Sequence, residues 1–274
     1  MKITKYPDGT TYVSNTTIEL HNNVFRINTY EDLWHLNQAV DAYWNEKHKR
    51  PTIIIPNLID AQADRRFNEG ESSGLKLVCK LLNEMNADFQ IYHPHNPEVV
   101  EALIDNVKII DNSRFVNRVL NSLPYDTQEE LNNNLILMSS DAGGFKPLMK
   151  LCDKLKWEGE TYSASKFRAY IDGKSKLTQI VDRQDFEGKD ILIIDDICVG
   201  GGTFKGLAKM LRERNCGKLY LAVSHITVSN LGLDPITNYF DKVFTTNSKF
   251  DFYGVSNRDG QPDQPKNLEI YKIF

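Results

Sequence analysis

Cysteine is scarce: four in 274 residues (Cys79, Cys152, Cys198 and Cys216), far apart, with no CxxC pair and no histidine at ligand spacing. That excludes a disulfide framework and a zinc site of ordinary spacing, and it reads as reduced thiols. Positive charge is not in excess either, with 33 Lys plus Arg against 37 Asp plus Glu and a formal net charge of −4. A nucleic-acid binder working through bulk positive charge is thereby excluded. No apolar run approaches the ~20 residues that a membrane-spanning helix needs. The opening MKITKYPDGTTYV has a polar body where a signal peptide carries an apolar stretch. The expectation is a cytoplasmic protein with neither a membrane nor a nucleic-acid partner. What is present, 41% hydrophobic and 26% charged residues, is the balance of a globular chain. At about 150 residues per domain it makes one large domain or two ordinary ones.

Short β-branched runs alternate with amphipathic stretches, which predicts an α/β fold. Asp8-Gly9 is a turn signal between Tyr6 and Tyr12. Thr29 followed by Asp32 predicts a capped helix start, with Leu33, Leu36, Val40 and Trp44 as its apolar stripe. Thr52 to Ile55, closed by Pro56, reads as a buried parallel strand. A helix is expected over Glu71 to Met85, a strand over Phe89 to Tyr92, and a helix begun by Pro97. The polar, Asn-rich 120–134 segment is the predicted domain boundary. Beyond it come a strand at Leu135 to Met138 and a helix at Phe145 to Leu155. Ile191 to Ile194 is the most apolar strand, followed by a helix from Thr203 to Arg214. Further strands are expected at Leu219 to Val223, Val243 to Thr245 and, at an edge, Leu268 to Ile273.

Open parallel sheets bind ligands at the carboxyl ends of their strands, and there the sequence is most informative. In ILIIDDICVGGGTF (Ile191 to Phe204) a buried strand runs into Asp195 and Asp196, then Gly200, Gly201, Gly202 and Thr203. Glycines let backbone N–H groups crowd around an oxyanion, and a helix N-terminus adds partial positive charge. Carboxylates beside such a nest suit the vicinal hydroxyls of a ribose. No lysine follows the glycines, so this is not a Walker A loop.

The segment resembles the 5-phosphoribosyl-1-diphosphate (PRPP) motif shared by type I phosphoribosyltransferases and ribose-phosphate pyrophosphokinases. That resemblance implies that Asp195 and Asp196 hold ribose hydroxyls and that Gly200, Gly201, Gly202 and Thr203 hold the 5-phosphate. The rest of the chain favours the pyrophosphokinases. Ile55 to Val78 is similar to part of their ATP site, implying Asp64 and Arg65, with Asp8 upstream, as ATP-binding residues. YHPH (Tyr92 to His95) resembles a strand-end motif whose histidine, here His95, contacts metal and ATP. SSDAGG (Ser139 to Gly144) resembles an SPDxGG loop in which Asp141 would organise Mg2+. SKFR (Ser165 to Arg168) resembles a mobile catalytic loop presenting Lys166 and Arg168, with His95 as a third catalytic candidate. SHITVS (Ser224 to Ser229) matches a later family segment. The similarity runs in order from about residue 6 to 248.

The implied architecture is two tandem phosphoribosyltransferase-like, Rossmann-like domains, with parallel sheets flanked by helices. Residues 1–125 form the ATP side and 126–274 carry the ribose-phosphate loop. The implied reaction is Mg2+-dependent transfer of the β,γ-diphosphoryl group of ATP to the anomeric hydroxyl of a 5-phosphorylated ribose, releasing AMP. Those relatives complete their ATP site from a neighbouring subunit, so a homo-oligomer, a dimer or larger, is implied too. Departures fall at the binding segments. Val199 and Gly200 stand where the family has Asp-Thr, Gln62 and Ala63 where it has Arg-Gln, and His93 where it has Asp. The wider loop suggests an acceptor larger than ribose 5-phosphate, such as ADP-ribose, giving ADP-ribose 1-diphosphate for NAD+ salvage. Two other readings stand beside it: a phosphoribosyltransferase consuming PRPP and a base, and an inactive regulatory relative.

Overall fold

The computed structural model describes residues 1–14, 23–171, 174–227, 234–251, 255–256, 262–263 and 265–274. The side chains of 166–171, 174–179, 234–235, 255–256 and 262–263 fall outside that description. The chain divides into two compact units, Met1–Asn112 with Phe274, and Ser113–Ile273.

In the first unit β1 (Lys2–Lys5) and β2 (Thr11–Ser14) form an antiparallel hairpin. Its turn follows from Asp8, whose Oδ1 accepts from the Thr10 amide (3.0 Å) and hydroxyl (2.7 Å), and from Gly9 at φ +87°. α1 (Tyr30–Lys47) opens on the expected capping box: the Thr29 hydroxyl oxygen accepts from the Asp32 amide, and the Asp32 carboxylate accepts from the Thr29 amide. Leu33, Leu36 and Val40 are buried, whereas Trp44 is exposed; Ala39 and His35 complete the inward face instead. β3 (Thr52–Ile55), β4 (Asp88–Tyr92) and β5 (Val107–Ile110) make a parallel sheet in that order. α2 (Gly74–Asn83) and α3 (Pro97–Leu103) connect them. α2 starts later than its apolar pattern suggests because Glu71 is engaged in a loop. Its carboxylate accepts from the Phe67 and Asn68 amides and from Asn68 Nδ2.

The second unit begins with α4 (Ser113–Leu120) and α5 (Gln128–Asn134). The division thus falls after Asn112 and not after residue 125. Phe115, Val116, Val119 and Leu120 of α4 share a core with Leu135, Leu137, Leu192 and Phe244. The polar 120–134 stretch is no linker: Thr127 caps α5 through the Glu130 amide, and Leu131 anchors it. Then follow β6 (Leu135–Ser139), α6 (Phe145–Leu155), β7 (Thr161–Ser163), β8 (Ser165–Ile171) and β9 (Lys174–Ile180). β10 (Asp190–Cys198), α7 (Gly202–Glu213), β11 (Leu219–Ile226), α8 (Asp234–Thr237) and β12 (Lys242–Thr246) come next. The short β13 (Val255–Ser256) and β14 (Pro262–Asp263) precede β15 (Leu268–Tyr271). The main sheet has the order β15-β12-β11-β10-β6-β7 and is parallel throughout, with β15 at the expected edge. β10 and β11 are near-continuous apolar runs because helices cover both faces of the sheet. α7 packs Phe204, Leu207 and Leu211 on Ile191, Ile193 and Leu221.

Candidate active site

The second unit's candidate residues gather where β6, β10 and β11 end. β10 runs past the expected Ile194 to Cys198, so Asp195 and Asp196 lie on the strand and not beyond it. The pairing of Ile194 with Ser139 brings the next residues, Asp195 and Ser140, side by side. There the Ser140 hydroxyl donates to Asp195 Oδ2, and the Asp196 amide donates to Asp195 Oδ1 at 2.8 Å. Burial, followed by the neighbouring charge of Asp196, pushes the Asp195 carboxyl well above the ordinary carboxylate range.

That shift sets a pH dependence of stability. A carboxyl whose folded pKa exceeds its unfolded value favours folding most at low pH, and the advantage is lost as pH rises through the folded value. Asp195→Asn is therefore expected to raise the urea midpoint at pH 8 more than at pH 4. An unchanged midpoint at pH 8 contradicts the assignment.

After β10 the chain makes the glycine turn. Gly201 sits at φ +70°, the left-handed region, and takes the N-cap position of α7. No side chain caps this helix, so its first amides are open to an anion. A Cβ built on Gly200 or Gly202 meets nothing within 4 Å, and Val199 is 53% exposed. The helix starts at Gly202, which makes Thr203 its second residue. Beneath the turn the Cys198 thiol is pushed up to about 12 by burial, against a hydrogen bond from the Gly201 amide.

The loop after β6 is organised by Asp141. Its Oδ1 accepts from the Gly144 amide at 3.0 Å, capping a short 3-10 turn over Ala142–Gly144. Its carbonyl accepts from the hydroxyls of Ser139 (2.9 Å) and Ser163 (3.2 Å). At the ends of β11 and β12 lies a buried polar cluster that motif reading passed over. His225 Nδ1 meets Ser248 Oγ at 2.8 Å, and the hydroxyls of Ser248 and Thr246 donate to the Ser224 carbonyl. Only the SHITVS segment hinted at this cluster.

Lys166 and Arg168 are on β8 and not in a loop. They occupy alternate positions of an antiparallel hairpin, paired with Gln179 and Leu177. Their side chains lie outside the described residues.

Asp8, Asp64, Arg65 and His95 belong to the first unit. Asp8 serves its exposed turn as described. Burial raises the Asp64 carboxyl, but hydrogen bonds from Arg65 Nε (3.1 Å) and Asn96 Nδ2 (3.3 Å), with the charges of Arg65 and His95, bring it below its usual value. Asp64, Arg65 and His95 thus form one neighbourhood beyond the end of β4. It follows His93, which sits at φ +39° and donates its amide to the Ile110 carbonyl at 2.7 Å. His95 and Asp141 belong to different units. Among the described residues no three His, Cys, Asp or Glu side chains gather as a metal site. The described cysteines carry no disulfide, and no described helix is long and apolar enough to cross a membrane.

A strand-end acidic pair, a left-handed glycine and an uncapped helix on a parallel sheet define a class. The Phosphoribosyl transferase domain family matches residues 106–256, more than half of the chain, and the chain belongs to that family. Over most of its length it is also similar to ribose-phosphate pyrophosphokinases. The enzyme of that name from Sulfolobus acidocaldarius is 25% identical over 251 residues, covering 89% of this chain and 82% of the relative. That of Pyrococcus furiosus is 24% identical over 257 residues, covering 90% and 85%. In fold the chain matches the phosphoribosylpyrophosphate synthetase of Mycobacterium smegmatis with a TM-score of 0.75, at 18% identity, over 99% of this chain and 85% of that one. The chain is a divergent relative of the ribose-phosphate pyrophosphokinases, and so an enzyme of the diphosphotransferase type.

Proposed function

We propose that this protein transfers the β,γ-diphosphoryl group of ATP to the anomeric hydroxyl of a ribose bearing a 5-phosphate, releasing AMP. The observation that carries the reading is the strand-to-helix turn from Asp195 to Thr203. It sets carboxylates for a diol beside an open, uncapped helix end for a phosphate. In this reading Asp195 and Asp196 serve the ribose hydroxyls, and Gly200, Gly201, Gly202 and Thr203 serve the 5-phosphate. Asp64, Arg65 and His95 serve ATP. Asp8 serves ATP on resemblance alone, since its bonds to the Thr10 amide and hydroxyl shape its own turn. Lys166 and Arg168 supply positive charge to the phosphoryl oxygens in the transition state, where catalysis of this kind is mostly positioning and charge neutralisation.

A magnesium ion fits the donor set. Mg2+ prefers oxygen, takes one or two carboxylates, and otherwise rides on substrate phosphates and water. Asp141, on a loop built of serine oxygens and glycine amides, suits that role, and no all-protein cage is required. Asp141 would hold such an ion in the second unit, His95 of the first unit is a separate metal candidate by resemblance, and a bound ion would supply charge neutralisation on the phosphates. The exposed Val199 and the open side of Gly200 favour an acceptor that continues beyond its 5-phosphate, for which ADP-ribose is the candidate. A homo-oligomer belongs to the same reading.

The acceptor is tested by supplying ATP and Mg2+ with equal ribose 5-phosphate and ADP-ribose, then resolving the products by chromatography. ADP-ribose 1-diphosphate is expected to accumulate first. Consumption of ribose 5-phosphate alone overturns the larger acceptor while leaving the diphosphoryl transfer in place.

A further inference from the structure

We propose that Ser163 is a positioning residue: its hydroxyl ties the root of the β8–β9 hairpin, and with it the backbone that carries Lys166, to the loop organised by Asp141. This rests on the proposed role of Lys166 as a cation for the transferred phosphoryl groups. Ser139, the last residue of β6, pairs with Ile194 of β10 on one side and with Ser163, the last residue of β7, on the other. One register row therefore lies at the start of three segments: the acidic pair that follows Ile194, the Asp141 loop that follows Ser139, and the hairpin that follows Ser163. Within that row the Ser139 and Ser163 hydroxyls are 3.0 Å apart, and they reach the Asp141 carbonyl at 2.9 and 3.2 Å respectively. A carbonyl oxygen has two lone pairs and can accept from both. The Ser163 hydroxyl is also 3.1 Å from the Ala164 carbonyl; when its proton turns there, its oxygen still accepts from Ser139. The Ala164 amide adds a bond to the Ser139 carbonyl at 3.1 Å, and Ala164 itself is fully buried. Ser165 then opens the hairpin opposite Ile180, and Lys166 comes three residues after Ser163. The returning leg is fixed as well. Val181 is buried, and the carbonyls of Val181 and Arg183 both accept from the guanidinium of Arg214. Arg183 in turn pairs with Glu160, just ahead of β7. With both roots held, the bond from Ser163 sets where the first strand of the hairpin begins relative to the Asp141 loop.

The test measures AMP release from ATP and Mg2+ with ribose 5-phosphate and ADP-ribose supplied together. Ser163→Ala and Ser163→Val remove the hydroxyl while Ser139 still holds the Asp141 carbonyl, so what is lost is the tie to the hairpin. Both are expected to lower kcat about 10-fold with the KM for ATP little changed, because misplacing a group that acts in the transition state falls on kcat. Ser163→Thr, which has the shape of valine but keeps a hydroxyl, retains most of the native turnover. In a Lys166→Ala background Ser163→Val is expected to cost less than about 3-fold more, since residues that act as a unit are not additive. Native turnover in Ser163→Val, an equal loss in Ser163→Thr and Ser163→Val, a change confined to KM, or the full loss again in the Lys166→Ala background overturns the positioning role. Those outcomes leave the role of Lys166 standing wherever Lys166→Ala itself loses turnover. Native turnover in Lys166→Ala removes the hairpin from catalysis and this proposal with it, and a native protein that releases no AMP ends the proposed function as well.

Discussion

Lys166→Ala is expected to lower kcat by about 10²–10³, roughly 3 kcal/mol, with little change in the KM for ATP or acceptor. Transfer of a diphosphoryl group spreads negative charge over phosphoryl oxygens as the bond to the AMP oxygen lengthens. A cation aimed at that charge acts mainly in the transition state. Lys166 lies on β8 opposite Gln179, two positions from Arg168 opposite Leu177, so a hairpin ladder fixes where the two residues fall along the chain. The variant's unfolding midpoint in urea is measured beside its turnover, and a midpoint equal to that of the native protein is expected. Unchanged turnover would show that the catalytic cations lie elsewhere. Loss confined to KM would make Lys166 a ground-state ligand.

Phe244→Ala is expected to destabilise the second unit by about 3–5 kcal/mol, as large-to-small changes of fully buried aromatic residues do. Phe244 is completely buried in the middle of β12. Its ring lies 6.5 Å from that of Tyr220 and 6.2 Å from that of Tyr271, within the core shared by α4, α6 and the sheet. Against the ~5–15 kcal/mol that holds a typical domain together, that is a large share. Urea denaturation followed by circular dichroism reads the loss, and a shift below about 1 kcal/mol would mean that the cavity collapses or that β12 is misplaced.

Much of this architecture is legible because local signals agree with the tertiary outcome. Thr29 and Asp32 cap α1 through contacts made within four residues, and Asp8-Gly9 closes its hairpin the same way. The apolar run in β10 requires burial on both faces, which a parallel sheet with two helical layers supplies. Other elements escaped because their determinants are distant or weak. α5 presents one buried leucine among Gln, Glu and Asn, too little for a periodic signal. The unit boundary depends on α4 packing against strands that come later in the chain. The β8–β9 hairpin, part of which (Ser165 to Arg168) resembles a mobile loop, is not legible because ladder pairing between residues such as Lys166 and Gln179 leaves no mark on either segment alone.

The site divides in the same manner. Asp195, Asp196 and the glycines were found from residue types in a row, since one strand and one turn hold them together. Ser140 and the His225–Ser248 pair were not, because each contact joins strands remote in sequence. Only Gly201 of the three glycines has a backbone that requires glycine; Gly200 and Gly202 instead leave open space. That openness sits beside Val199, where the family pattern has a charged residue, and it carries the acceptor proposal.

The central claim, transfer of two phosphoryl groups as a unit to a sugar hydroxyl, is tested most directly by phosphorus-31 NMR of ATP, Mg2+ and acceptor with the native enzyme. AMP should appear together with a sugar 1-diphosphate whose two phosphorus signals are coupled, in equal amounts. ADP with a sugar carrying a single phosphate on its anomeric oxygen, or ATP left intact beside either acceptor, would contradict it.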